Sequence, residues 1–146
     1  MLILDDYKEV FIKILKLENK LTEYYNIIEH LVKDEKCREI IAFLKERHIN
    51  NLKYIRDIRV EDYGKDSWIR SAPDCFVKVV LPINEITSES SIEEIINHIL
   101  DFEKKMKEIY SCISDEICSG NEKELFNSLA EFKGRQIYEI KSCLEV

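Results

Sequence analysis

The sequence predicts an all-α protein: a four-helix bundle made of two antiparallel hairpins joined by a long crossover. Three observations carry this. Apolar residues recur at steps of three and four through four separate segments, as in helices buried on one face. Only three Gly and two Pro occur in 146 residues, too few for a turn-rich β fold. Two of the connections between segments are short and one is long, which makes two helical hairpins and one traverse.

The first helix is expected near 5–33. Phe11, Ile14, Glu18, Leu21, Tyr25, Ile28 and Val32 form its stripe, and Leu17, Tyr24 and Leu31 widen it. The second, near 35–57, carries Ile41, Lys45, His48, Leu52 and Ile55, with Asp34 as its N-cap. The third, near 91–118, carries Ile92, Ile96, Ile99, Glu103, Met106, Tyr110, Ile113 and Ile117. Its capping box is Ser90 with Glu93 or Ser91 with Glu94. The fourth, near 122–144, carries Phe126, Leu129, Lys133, Gln136, Ile140 and Cys143. Gly120 ends the third helix, Asn121 opens the fourth, and Glu124 follows three residues on. Gly134 weakens the fourth helix by about 1 kcal/mol relative to Ala.

Residues 59–90 form the crossover, with Gly64, Pro73, Pro82 and the extended-looking "CFVKVVLP". A helix of ~25 residues is ~37 Å long, and an extended chain covers that in ~11 residues. The segment can therefore run the length of the bundle, so that the second and third helices point the same way. Trp68, Phe76, Val77, Val79 and Val80 are expected to pin it down.

Bulk properties narrow the function. The length suits one domain over 1–146. A net charge of −7 argues against a nucleic-acid partner, which needs a basic face. Neither a membrane-spanning run nor a signal peptide is read, so a cytoplasmic protein without a membrane partner is expected. Cys37, Cys75, Cys112, Cys118 and Cys143 are odd in number and lack a C-x-x-C pair, so ordinary reduced thiols are expected. Ile27, Ile40 and Leu44 lie outside the main stripes and either make a homodimer face or widen the core. His30 and His98 have no ligand pattern around them and read as surface residues.

The two hairpins repeat. Residues 11–28 and 96–113 match at seven of eighteen positions, including Glu18 with Glu103 and Tyr25 with Tyr110. In the second helix of each hairpin, Ala42 matches Ala130, Lys45 matches Lys133, Arg47 matches Arg135 and Lys53 matches Lys141. Glu18 and Glu103 thus occupy equivalent places in apolar stripes. There they are either buried with a partner or turned off the stripe toward water.

With these residues the chain resembles the rubrerythrin branch of the ferritin-like superfamily. The resemblance implies a ferritin-like bundle in which the first and third helices each supply one Glu, and the second and fourth each supply Glu-x-x-His. Such ligands hold two iron or manganese ions that handle oxygen or peroxide. On that pattern Glu18, His48 and Glu103 match ligand positions. Lys45, Lys133 and Gln136 stand where two Glu and one His are expected, and Tyr25 and Tyr110 stand around the site. The rubredoxin-like iron domain has no C-x-x-C to build it.

The resemblance therefore implies a degenerate metal site, with both lysine ammoniums standing where the two cations stood, and no cofactor. The expected function is a metal-free binding or scaffold protein whose protein partner is unknown. The alternative is an iron- or manganese-dependent oxidoreductase with one ion on Glu18, His48 and Glu103. A third reading makes Lys45 or Lys133, with a pKa lowered by burial, a nucleophile or base. No catalytic residue is assigned.

Overall fold

A computed structural model describes residues 4–59, 68–70, 75–76, 78–117 and 120–144. Four long α-helices account for most of them: α1 (Tyr7–Leu31), α2 (Glu35–Arg56), α3 (Ile92–Glu116) and α4 (Asn121–Ser142). A 3₁₀ turn, Ile83–Glu85, precedes α3. The expected helices are all present, with ends shifted by one or two residues. The start of α1 shifts for a reason. Leu4–Asp6 is a short strand, β1, paired antiparallel with β2 (Trp68–Arg70), so the first helix begins at Tyr7 instead of Asp5.

The caps follow the side chains. Asp34 Oδ2 accepts from the Cys37 amide at 2.9 Å and starts α2. Of the two candidate boxes, Ser91 is the cap of α3: its Oγ accepts from the Glu94 amide at 3.2 Å. Ser90 Oγ instead accepts from the Thr87 amide in the preceding turn. The third helix ends at Glu116, short of Gly120. There the Lys123 ammonium donates to the Ser114 carbonyl at 2.8 Å and the Ile117 carbonyl at 3.1 Å, satisfying acceptors that the helix end leaves open. Gly120, at φ +105°, caps α4 in a backbone conformation that L side chains rarely adopt.

α1 packs on α2 and α3 packs more closely on α4, as two hairpins. Contacts between the hairpins give their directions. Phe11 meets Phe126 and Glu18 meets Lys133, so α1 and α4 run the same way. Glu18 meets Tyr110 and Tyr24 meets His98, so α1 and α3 are antiparallel. Tyr54 on Phe132 and Arg47 on Glu139 make α2 antiparallel to α4. α2 and α3 therefore share a direction. The core between the four helices is apolar: Ile14, Ile41, Ile96, Ile99, Phe102, Met106 and Phe126 are fully buried.

Several expectations need correction. Val80 is 51% exposed and does not pin the segment, whereas Val79 is buried and Phe76 half-buried. The side chain of Trp68, and Val77 altogether, lie outside what is described. Leu44 and Ile40 widen the core, while Ile27 is exposed. His98 is not a simple surface residue: its Nδ1 hydrogen-bonds the Tyr24 hydroxyl at 3.1 Å and its Nε2 faces Glu85 at 3.3 Å. His30 is exposed, as expected. Cys75 and Cys112 form a disulfide that ties the segment following β2 to α3, against the reading of reduced thiols. The two lie 37 residues apart, and no local spacing marks such a pair. Cys37 and Cys143 are free, and Cys118 lies outside the described residues.

Candidate functional site: a lysine between two buried glutamates

Midway along the bundle, the stripes of α1, α3 and α4 place Glu18, Glu103 and Lys133 against one another, each at most 2% exposed. The Lys133 ammonium lies 2.6 Å from Glu18 Oε1 and 3.1 Å from Glu103 Oε2. It donates to both oxygens of Glu103 and to Glu18 Oε2. The stripe on α4 explains why: Phe126, Leu129, Lys133, Gln136 and Ile140 are all buried, so Lys133 has no route to water. Of the two possibilities for the glutamates, burial with a partner is the one realised.

Lys45 is not part of this cluster. Its ammonium turns away to Glu29 Oε2 at 2.7 Å, with the side chain a quarter exposed. The buried face of α2 reads Cys37, Ile41, Leu44, His48, Leu52 and Ile55. Lys45 follows Leu44, about 100° further around the helix, which leaves it free to reach the rim. One ammonium therefore meets two carboxylates, where two ammoniums were expected.

Burial pushes the Glu103 carboxyl up to about 7; Lys133 pulls it down and Glu18 adds to the rise. Burial alone would lower the Lys133 pKa, but Glu103 and Glu18 outweigh it and hold the ammonium above its ordinary range. This weighs against the reading of Lys133 as a nucleophile or base, since a protonated amine has no lone pair to use. Lys45 stands apart from this cluster, at the rim on Glu29.

His48 ties α2 to the same point. Its Nε2 lies 3.1 Å from the Glu18 carbonyl oxygen and 3.1 Å from Thr22 Oγ1. A carbonyl only accepts, so Nε2 carries the proton. Burial pushes His48 down to about 4, with Glu18 opposing and Lys133 assisting, so the ring is neutral near pH 7. The Tyr110 hydroxyl donates to Glu18 Oε1 at 3.3 Å. Burial raises its phenol pKa, and the two glutamates add to the rise. Tyr25 lays its ring against His48, centroids 5.8 Å apart.

The remaining predicted residue, Gln136, faces a small space of about 20 Å³ that His48, Glu103 and Tyr25 also line. Its Oε1 is buried and has no hydrogen-bond partner among the described residues. Arg47, which also lines this space, pairs with Glu139 and was missed as a site neighbour. Its signal was the match between Arg47 and Arg135 in the repeat.

Ligand atoms of Glu18, His48 and Glu103 come within 4.8 Å of one another, the spacing a metal ion requires. Lys133 stands among them with its charge. The arrangement joins all four helices through one polar cluster in which a side-chain cation bridges two carboxylates. Compared with protein-family models, with curated proteins and with solved structures, the chain matches none.

Proposed function

We propose that this chain is a rubrerythrin-related, ferritin-like bundle that has exchanged its dimetal centre for a buried lysine, and that it acts as a metal-free binding or scaffold protein. One observation carries the reading: the Lys133 ammonium bridges Glu18 and Glu103 from the position on α4 where the family pattern has a bridging glutamate. The repeat relation of the two glutamates and the shared direction of α2 and α3 support it further. On this reading the chain between α2 and α3 is the ferritin-like crossover.

The donor set does not fit two metal ions. Both carboxylates are engaged by an ammonium, which repels a second cation a few ångströms away. Lys45 lies off the site on Glu29, and Gln136 offers an uncharged amide where the pattern has imidazole. The second reading, a single iron or manganese ion in an oxidoreductase, is favoured by the 4.8 Å spacing of Glu18, His48 and Glu103. It requires Lys133 to leave the cluster.

The deciding experiment is metal analysis of protein grown with iron and manganese, beside thermal melts with and without added metal. The wild type is expected to carry far less than one ion per chain and to melt unchanged. The variant Lys133→Glu with Gln136→His should melt lower without metal and rise when ferrous or manganous ion binds the folded state. A stoichiometric ion in the wild type would overturn the proposal.

The reading includes a cytoplasmic location. Among the described residues, no helix is long and apolar enough to cross a membrane. The Cys75–Cys112 disulfide weighs against the location, since reducing compartments keep most thiols reduced. Thiol labelling in intact cells is the check.

A further inference from the structure

A second feature lies on the outside of α1, away from the buried cluster. Lys13, Lys16 and Lys20 step by three and four and so share one helical face. Phe76 and residues 78–83 lie alongside that face, running in the same direction. Phe76 sits under the Lys13 ammonium, 5.6 Å from ring centre to nitrogen. Further along, Ile83 begins the 3₁₀ turn whose Glu85 reaches His98, the partner of Tyr24. Between helix and segment is an open groove of about 740 Å³, within the usual range for small-molecule sites.

The groove is polarised along its length. Lys13, Lys16 and Lys20 from α1, with Lys78 from the facing segment, line one half of it, with Leu17 and Phe76 among them. Lys16, Lys20 and Lys78 are exposed and make no ion pair among the described residues. Beyond Glu23 the lining turns apolar, with Tyr24, Ile27, Leu81 and Ile83. Ile27 is 49% exposed there, a large apolar side chain left facing the groove. Lys16, Lys20 and Lys78 against Glu23 leave a local excess of positive charge in a chain whose net charge is −7. From Lys13 to Ile27 the helix rises ~21 Å, and an acyl chain spans ~15 Å, half the ~30 Å hydrocarbon core of a bilayer.

We propose that this groove binds a single-chain anionic amphiphile, a long-chain carboxylate, with its head among Lys16, Lys20 and Lys78 and its tail along Tyr24, Ile27 and Ile83. The charge is of the right sign and lies in one half of the groove, which suits one head group. An extended polyanion would call for lysines along the whole groove. The site owes nothing to the buried lysine cluster, so either reading can fail alone.

The test is calorimetric titration of the full chain with hexadecanoate below its micelle concentration. Saturable binding of one molecule per chain is expected, with no binding of acetate and weaker binding of a hexadecyl ammonium. Lys16→Glu with Lys20→Glu should weaken binding about tenfold or more, because two attractive charges become repulsive. Ile27→Asp should weaken it from the tail end. Both changes are at exposed positions, and an unchanged circular dichroism melt separates lost binding from lost folding. Binding without saturation, binding indifferent to head-group sign, binding untouched by both variants, or binding only to anionic vesicles would each overturn the proposal.

Discussion

Lys133 decides the chemistry of the core. A cation buried between two carboxylates contributes less to stability than its short contacts suggest, because all three groups lose their water. Removing it is another matter. Lys133→Met should destabilise the fold by ~3–5 kcal/mol, since it strands two carboxylates. Replacing the cluster by apolar groups, Glu18→Met, Glu103→Met and Lys133→Met with Tyr110→Phe, should come within ~1–2 kcal/mol of wild type or exceed it. Urea melts of the two variants check the contrast. The cluster also sets two opposing pH dependences. Glu103 titrates at about 7 in the fold against an ordinary 4.5, so across that window the folded chain holds the extra proton and stability falls as pH rises. His48 titrates at about 4 against an ordinary 6.5, so the unfolded chain holds the extra proton and stability rises with pH. Where the windows overlap the slopes largely cancel. His48→Gln should uncover a stability that declines with pH between about pH 5 and about pH 6.5, and Glu103→Gln one that climbs. Two flat profiles would show that neither Glu103 nor His48 is shifted in the fold.

The helices differ in how far their residues foretold them. Asp34 and Ser91 cap because a short side-chain oxygen can reach an amide three residues on, a local rule that sequence carries in full. The stripe through Phe126, Leu129, Lys133 and Gln136 was equally legible, and it placed Lys133 in the core. On α2 the expected stripe runs through Lys45, whereas the buried row is Cys37, Ile41, Leu44 and His48; Lys45 matches Lys133 in the repeat but lies one position past that row. The β1–β2 ribbon and the Cys75–Cys112 bond had no local sign, because each depends on a partner dozens of residues away. Gly134 offers a test on α4. A Cβ there would meet the Lys107 ammonium nitrogen at 3.2 Å, the movable end of an exposed side chain. Gly134→Ala should therefore stabilise the protein by ~0.5–1 kcal/mol and raise the melting temperature by a few degrees. An unchanged or lower melting point would show that Lys107 does not yield.

Across the whole molecule, the two hairpins meet through contacts that are remote in sequence. Lys133 finds Glu103 within its own hairpin, 30 residues away, but Glu18 comes from the other hairpin, 115 residues away. The distances impose an order on assembly. The α3–α4 hairpin can form its own ion pair early, at little loop-closure entropy. The α1–α2 hairpin arrives with a lone carboxylate that must shed water before it reaches Lys133. Wrongly registered encounters leave Glu18 buried without a partner and fall apart. The Glu18–Lys133 clasp at the centre of the bundle is therefore expected to close late in folding. In stopped-flow kinetics, Glu18→Gln should mainly speed unfolding and barely slow refolding, a φ-value near zero. Mutations in the α3–α4 interface such as Met106→Ala should slow refolding as well.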